Sequence, residues 1–404
     1  MSGTGFELID LLVRWVHLIA GIMWIGNSLL FNWLDRRLET PEGPTRTARP
    51  GGTIWLLHSG GFYYVEKTLL DGAPLPRVLH WFKWQAYTTW WSGAVLLGLI
   101  YYGSGRALLG PTGSSSVLMA VGAGAILGGW LIYETMQRVV APRAPRIALG
   151  GWLGGLAALA ALLLATMDGR AAFLHVGAML GTIMAGNVVF TIVPSQHELV
   201  RAVSQGRGGD PAVSERAKRV SIHNNYFTFP VLVLMLSGHF PSLYSVPHRG
   251  LVLAVLVAGG ALARHLLNRR FDFPSWKAAM AATVAGVALA LFGLGRLRSP
   301  AAAGAGEPTF AGPPSFAEVR SVIDRRCASC HSAQPADLSF GPGPGGVRFD
   351  TPEEIVAWAG RIRERAVLTL TMPPGNKTGI TESERALLGR WSSGEGIRPD
   401  QLPR

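Results

Sequence analysis

Residues Ala171–Val193 read AAFLHVGAMLGTIMAGNVVFTIV, a run with no Asp, Glu, Lys or Arg and a single histidine. An α-helix crosses a bilayer with about 20 mostly apolar residues, so this stretch predicts a transmembrane helix. Working outward, Leu8–Leu30, Ala86–Tyr102, Val117–Val139, Ala148–Thr166, Tyr226–Ser237, Gly250–Leu267 and Lys277–Leu297 read the same way. Tyr226–Ser237 reaches span length only if His223–Asn225 or His239–Phe240 lie at membrane depth. The expected fold is mainly α: a polytopic bundle of about eight transmembrane helices, followed by a small soluble domain.

Composition agrees. Of 404 residues, 49% are hydrophobic and 15% charged, against about 25% charged in a soluble domain, and mean hydropathy is +0.27. The net charge of +12 raises nucleic acid, an anionic substrate or lipid head groups as partners. The positions of the cations decide between them. The first loop carries Arg36, Arg37, Arg46, Arg49, Lys67, Arg77 and Lys83. The third carries Arg138, Arg143 and Arg146, the fifth Arg201, Arg207, Arg216, Lys218 and Arg219, and the seventh Arg269, Arg270 and Lys277. The even loops hold only Arg106, Arg170 and Arg249. By the positive-inside rule the odd loops are cytoplasmic and both termini lie outside. The surplus is an orientation signal towards the lipid bilayer, and nucleic acid is not needed to explain it. The first apolar segment reads as a retained helix, without the basic start and cleavage site of a signal peptide.

An internal repeat suggests a 4+4 arrangement. Gly21-x4-Gly26-Asn27 in the first helix matches Gly181-x4-Gly186-Asn187 in the fifth, and Tyr87-Thr-Thr-Trp matches Tyr226-Phe-Thr-Phe. The expected domains are a membrane-embedded unit over 1–298, a flexible Ala/Gly/Pro-rich linker over 299–314 and a soluble domain over 315–404.

The two cysteines fall in Cys327-Ala-Ser-Cys330-His331, a haem c attachment pattern. Thiols three apart on one turn reach the haem vinyl groups, and His331 presents its imidazole to the iron. Ser315–Arg326 predicts an amphipathic helix with Phe316, Val319, Val322 and Ile323 on one face, and Glu382–Trp391 a closing helix. Met372, in Thr-Met-Pro-Pro, is non-helical ahead of Pro373 and is the expected second axial ligand; a Met/His pair suits electron transfer. This is a class I cytochrome c pattern. A chance match or a zinc pair is the alternative. Covalent haem attachment occurs outside the cytoplasm in bacteria, which is where the charge rule independently places this domain.

Ionisable groups at membrane depth are functional candidates. His17 shares a helix face with Gly21 and Trp24, and His175 lies toward the same outer side, as does His239. His17 and His175 are candidate axial ligands for a haem b in the membrane domain. The other reading is that each hydrogen-bonds a carbonyl or water, and both stay open. A second cluster lies at the cytoplasmic side: His58-Ser-Gly-Gly-Phe-Tyr63-Tyr64, His80-Trp-Phe-Lys83-Trp84, Pro194-Ser-Gln-His197-Glu198 where the fifth helix leaves the membrane, and His223-Asn224-Asn225-Tyr226. Aromatics to stack, amides to bond ring edges and cations to neutralise charge suit a planar anionic heterocycle. An interfacial aromatic belt with snorkelling lysines is the competing reading, and the better one for the tryptophans.

Arg14-Trp-Val-His17-Leu-Ile-Ala-Gly-Ile-Met-Trp-Ile-Gly, His58-Ser-Gly-Gly-Phe-Tyr63, His80-Trp-Phe-Lys-Trp, His175-Val-Gly-Ala-Met-Leu-Gly-Thr-Ile-Met-Ala-Gly-Asn187 and His223-Asn-Asn-Tyr-Phe-Thr-Phe-Pro230 resemble the bacterial membrane-bound urate hydroxylases, or urate oxidases. These join an eight-helix urate oxidase domain to a cytochrome c. Ser59 stands where the resemblance implies glycine, and Gly238 where it implies Asn. The resemblance implies oxidation of urate to 5-hydroxyisourate in the bacterial inner membrane. Electrons then leave through the cytochrome to a respiratory acceptor such as cytochrome c oxidase. His58, His80 and His223 are the candidate bases, with Tyr63, Lys83, Asn224 and Asn225 as urate-binding candidates. A membrane electron-transfer or quinol-linked cytochrome without urate activity, and a transporter carrying a cytochrome, are the alternatives. A haem–copper oxidase is disfavoured, because the histidines are scattered.

Overall fold

Long runs of Leu, Ala, Ile, Val and Gly satisfy every backbone polar group internally only as helices, and helices dominate. The computed structural model describes residues 3–41, 50–68, 75–103, 114–244, 246, 248–296, 310, 312–336, 344–376 and 378–395. In chain order the first unit comprises α1 (Gly3–Arg37), β1 (Pro50–His58), β2 (Gly61–Thr68), α2 (Trp84–Leu97), α3 (Ser115–Thr135), α4 (Pro145–Thr166), α5 (Gly169–Asn187), α6 (Val193–Ser204), α7 (Pro211–Ser237), the short α8 (Pro241–Tyr244), α9 (Arg249–Arg269) and α10 (Trp276–Arg296).

Six helical stretches among the described residues are long and apolar enough to cross a membrane: Leu8–Arg37, Ser116–Val140, Pro145–Thr166, Gly169–Ser204, Arg249–Arg269 and Trp276–Gly295. The expected spans at Ala86–Tyr102 and Tyr226–Ser237 are helical but not among them. α7 begins at Pro211, so Glu215, Arg216, Lys218 and Arg219 dilute its first half, and His223–Asn225 lie inside the helix rather than ahead of it. Similarly, Pro194–Glu198 continues the fifth helix as α6 instead of leaving it.

α5 lies at the centre, packed by α3, α4 and α7; α7 packs in turn on α9, and α9 on α10. Phe173, Met179, Ile183 and Leu234 are fully enclosed there. α1 pairs with α2 and leaves Leu11, Trp15, Leu18 and Ile22 exposed, an apolar face of the kind lipid covers. The paired glycines of the repeat differ in use: Gly186 sits under Trp130, whereas no described residue comes within 4 Å of where a Cβ would stand on Gly26.

Among the described residues three π turns interrupt this bundle: Gly98–Tyr102 after α2, Met136–Val140 after α3, and Val188–Ile192 after α5. Such turns cluster at functional sites because one extra residue re-aims the side chains. Here each borders a polar cluster described below. The sheet is a single antiparallel hairpin with His58 opposite Gly61, an element that the reading of the first loop did not foresee. Its turn residues Ser59 and Gly60 both have positive φ, 50° and 75°, the signature of a tight two-residue hairpin.

The second unit is small and helical. α11 (Phe316–Arg326) starts at a capping box between Ser315 and Glu318. α12 (Pro352–Ala357) and α13 (Ala359–Ile362) follow, and α14 (Glu382–Arg390) closes it. Val319, Val322, Ile323, Ile355, Leu387, Leu388 and Trp391 form its enclosed core, with α11 against α14. Of the expected linker, 299–309 and 311 lie outside the described residues. Phe310 packs on this core, and Arg390 donates to the Phe310 and Gly312 carbonyls at 3.0 and 2.9 Å, so the linker's last residues belong to the domain. The turn Pro374–Asn376 lies beside α8 of the first unit.

Candidate functional site

Helix α7 carries four polar residues in succession, and each turns to a different neighbour. The His223 Nδ1 lies 2.7 Å from the Tyr133 phenol on α3. Asn187, the last residue of α5, donates to that phenol at 3.2 Å and to Asn224 Oδ1 at 2.8 Å. Asn224 donates on to the Met184 carbonyl. Trp152 of α4 closes the cluster, its ring 5.7 Å from His223 and 5.5 Å from Tyr133. Tyr133, Trp152 and Asn187 are buried. The Trp152 Nε1–H and the Gln137 Oε1, one turn beyond Tyr133, are enclosed without a hydrogen-bond partner among the described residues. A buried donor and a buried acceptor left open in this way are what a water or a polar ligand completes.

With Nδ1 engaged, the His223 ring works from Nε2. Nε2 accepts a proton when Nδ1–H donates to the phenol oxygen, and donates when the phenol gives its proton to Nδ1. Around this cluster Arg216 bridges to Glu134 and Thr191 at 3.1 and 3.4 Å, which draws in the π turns after α3 and α5. Burial lowers Arg216, with Arg138 adding to the effect, while Glu134 opposes it. Arg138 also pairs with Glu134. The mouth of the bundle at this end is therefore basic.

On the other side of α7, Asn225 meets α9: Arg264 donates to its backbone and side-chain oxygens at 3.2 and 3.0 Å, and Asn268 to the side-chain oxygen at 2.7 Å. Tyr226 bonds His265 at 2.7 Å. Of the residues singled out from the sequence, His223, Asn224 and Asn225 thus belong to buried networks. His58 and Tyr63 lie on the exposed hairpin, and His80 is also exposed. Lys83 sits over the Trp81 and Trp84 rings, while Trp81 stacks on His197 at 4.6 Å; this is belt-like packing. The hydrogen bonds of these four residues do not join them to His223. Tyr133, Trp152, Gln137, Asn187, Arg264 and Asn268 were not singled out as site residues. A lone polar residue inside an apolar span was their only signal.

At the opposite end, His175 is fully enclosed. Its Nδ1 lies 2.8 Å from the Ala171 carbonyl and its Nε2 3.2 Å from the Tyr102 hydroxyl. Gly122 makes room for the ring: a Cβ there would come within 2.7 Å of Nε2. His17 Nδ1 lies 2.9 Å from the Thr89 carbonyl and 3.1 Å from Ser92. His175 thus has a protein partner at each nitrogen, whereas His17 is bound to α2 through Nδ1. His239 is exposed.

In the small domain, Cys327 and Cys330 are half-buried and lie on one turn, with Cys330 and His331 N–H groups donating to the Cys327 carbonyl at 3.1 and 2.9 Å. The His331 Nδ1–H donates to the Val347 carbonyl at 3.1 Å, which orients the ring and leaves the Nε2 lone pair for a metal. Burial holds His331 below the usual imidazole range, and the Val347 bond only partly opposes this. Met372 is pinned by its N–H to the Arg365 carbonyl and by Arg385 on its own carbonyl, both 2.9 Å. Leu368 and Leu370 beside it are 62% and 59% exposed. Paired thiols, an oriented imidazole, a methionine held by its backbone and apolar flanks fit a covalently held haem. Among the described residues no three His, Cys, Asp or Glu side chains converge as a metal cage.

A family model described as urate oxidase N-terminal matches residues 4–293. No curated protein and no solved structure matches.

Proposed function

The chain belongs to the urate oxidase N-terminal family, and from that premise we propose that it oxidises urate to 5-hydroxyisourate in the bacterial inner membrane, with the carboxy-terminal domain as electron exit. The reaction adds water at C5, forming a C5–O bond, and releases two protons and two electrons. The observation that carries this reading is the buried Asn187–Tyr133–His223 chain with Trp152, whose Nε1–H is open, packed against it.

In this reading His223 Nε2 takes the proton, from urate or from the attacking water. Tyr133 and Asn187 hold the ring and spread the charge it gains. Asn224, fixed by Asn187 and by the Met184 carbonyl, keeps Asn187 oriented. The basic mouth around Arg216 and Arg138 draws the urate anion in, and the apolar helices exclude bulk water. Cys327, Cys330, His331 and Met372 would hold a haem c, which supplies one-electron acceptance when bound. The Lys/Arg distribution supports a cytoplasmic mouth, with both termini and the small domain outside. From there electrons pass to a respiratory acceptor such as cytochrome c oxidase.

The test is anaerobic addition of urate to the purified full chain while following the haem c absorption. Reduction that is lost in His223→Ala supports the assignment. A haem that dithionite reduces but urate does not would instead favour a membrane electron-transfer cytochrome without urate activity.

A further inference from the structure

α1 and α2 run antiparallel: Phe31 meets Phe82 at 5.2 Å near one end, and His17 meets Thr89 and Ser92 further along. Between the two helices lies a groove of about 470 Å³. Leu12 and Val16 line it from α1, and one face of α2 lines it from Trp84 to Val95. Leu12, Val16, Trp84, Trp91 and Val95 are each 45% exposed or more. The groove therefore opens to the outside of the bundle, along an apolar span, Leu8–Arg37, of which only 6% is buried.

The groove suits hydrocarbon. Its buried polar residue, Ser92, gives its proton to the Thr88 carbonyl at 2.6 Å and lies 3.1 Å from His17 Nδ1, so it is satisfied within the chain and has no proton left to donate. The length points the same way. The eleven residue steps from Trp84 to Val95 rise about 16 Å, and half of a bilayer's hydrocarbon core is about 15 Å. The groove has the reach of one acyl chain in one leaflet.

One end of the groove carries a charge. Lys83 directly precedes Trp84, and its Nζ lies 5.3 and 5.9 Å from the Trp81 and Trp84 ring centres. Among the described residues no carboxylate pairs with it. The cations of this loop mark the cytoplasmic interface, and tryptophans gather at the same level. An unpaired lysine there attracts the head group of an anionic lipid. An apolar channel one leaflet long, ending at a cation, matches an anionic amphiphile in both charge and length.

We propose that this groove binds one anionic phospholipid of the cytoplasmic leaflet, with an acyl chain between α1 and α2 and the phosphate at Lys83. This rests on the membrane placement above and is independent of the urate reading. The bound chain fills the space that the packing of α1 on α2 leaves open. It also backs the wall in which Ser92 meets His17.

The experiment places the purified full chain in phosphatidylcholine nanodiscs with increasing fractions of phosphatidylglycerol brominated on its acyl chains, and follows tryptophan quenching. A site gives a component that saturates at low mole fraction, above the proportional quenching by freely exchanging lipid. Brominated phosphatidylcholine should show the proportional part alone. Val16→Phe and Val95→Phe fill the groove from exposed positions, and each should abolish the saturable component. Lys83→Gln should weaken it about fivefold, as expected for one lysine at an anionic lipid surface. Proportional quenching that is equal for the two lipids, or a saturable component unchanged in both groove variants, overturns the site and leaves the membrane placement standing. An isoprenoid quinone retained by the purified wild type in place of phosphatidylglycerol, and lost in Val95→Phe, overturns the choice of occupant. No quenching by either lipid overturns the membrane placement and the site with it.

Discussion

Tyr133 on α3 and His223 on α7 are joined by a 2.7 Å hydrogen bond across ninety residues of chain, and Asn187 of a third helix donates to the same phenol. The pair fixes which nitrogen of His223 can exchange a proton. Tyr133→Phe keeps the ring, its edge contacts with Trp152 and Phe227 and the fold, but lets the imidazole rotate. Loss of general-base alignment of this kind costs about 10²-fold or more. The expected outcome is a fall in kcat for urate-dependent reduction with KM little changed. A rate equal to wild type would remove Tyr133 and the proton role of His223 together.

The Val347 carbonyl holds His331 by Nδ1, so the axial and covalent roles can be separated by mutation. Cys327→Ala or Cys330→Ala should reduce the covalently bound haem seen by peroxidase staining of denaturing gels. Met372→Ala should leave that stain intact and lower the haem midpoint potential, since a thioether ligand raises it. An unchanged potential would assign the sixth ligand elsewhere.

How far these sites were legible in the sequence depended on whether the signal was local. Periodicity over Ser315–Arg326 named the enclosed Val319, Val322 and Ile323 directly, because an amphipathic helix writes its buried face at fixed spacing. The long apolar runs were equally plain. Tyr133, Asn187 and Arg264 were not, because their meaning comes from partners on other helices, and a single polar residue in a span does not say what it faces. His58 and His80 carried the same residue chemistry as His223 but lie on an exposed hairpin and an exposed loop. The hairpin itself was hidden in a stretch read only as a basic loop.

That hairpin yields its own prediction. Ser59 sits at φ 50°, a left-handed conformation that costs an L-residue about 1–2 kcal/mol and glycine almost nothing. Ser59→Gly, the residue that the family resemblance implies there, should slow amide exchange across the hairpin about fivefold or more. Faster exchange would mean that the serine makes a compensating bond.

His175 tests the membrane haem. With Nδ1 near the Ala171 carbonyl and Nε2 near the Tyr102 hydroxyl, it has no nitrogen to offer an iron without giving up a buried bond. A pyridine haemochrome spectrum of the purified chain should show c-type bands alone. A b-type band that vanishes in His175→Ala would mean that iron replaces Tyr102 as the partner of Nε2.

Acid should loosen the small domain through Glu384, which is 1% exposed. Burial alone would raise this carboxyl, but the Thr381 N–H and the Arg326 guanidinium together hold it below the usual carboxylate range. Arg326 reaches both carboxylate oxygens, at 3.0 and 3.2 Å, and Thr381 N–H lies at 2.8 Å, so one side chain ties α11 to the start of α14. A carboxyl whose folded value lies below its unfolded one stabilises the fold fully above the unfolded value, near 4.5. It loses that stabilisation as pH falls through the folded value. Because Arg326, and Arg325 whose guanidinium lies 3.5 Å from the same carboxylate, are partly solvated, the contribution is about 1–3 kcal/mol. Acid titration of the full chain, followed by near-ultraviolet circular dichroism, should therefore show this domain losing stability as the pH falls below about 4.5. Glu384→Gln should be less stable at pH 7 and should lose this part of the acid dependence, since an amide cannot titrate. If the mutant and wild type differ in stability by the same amount at pH 3 and pH 7, the ion pair is not the source of the acid sensitivity.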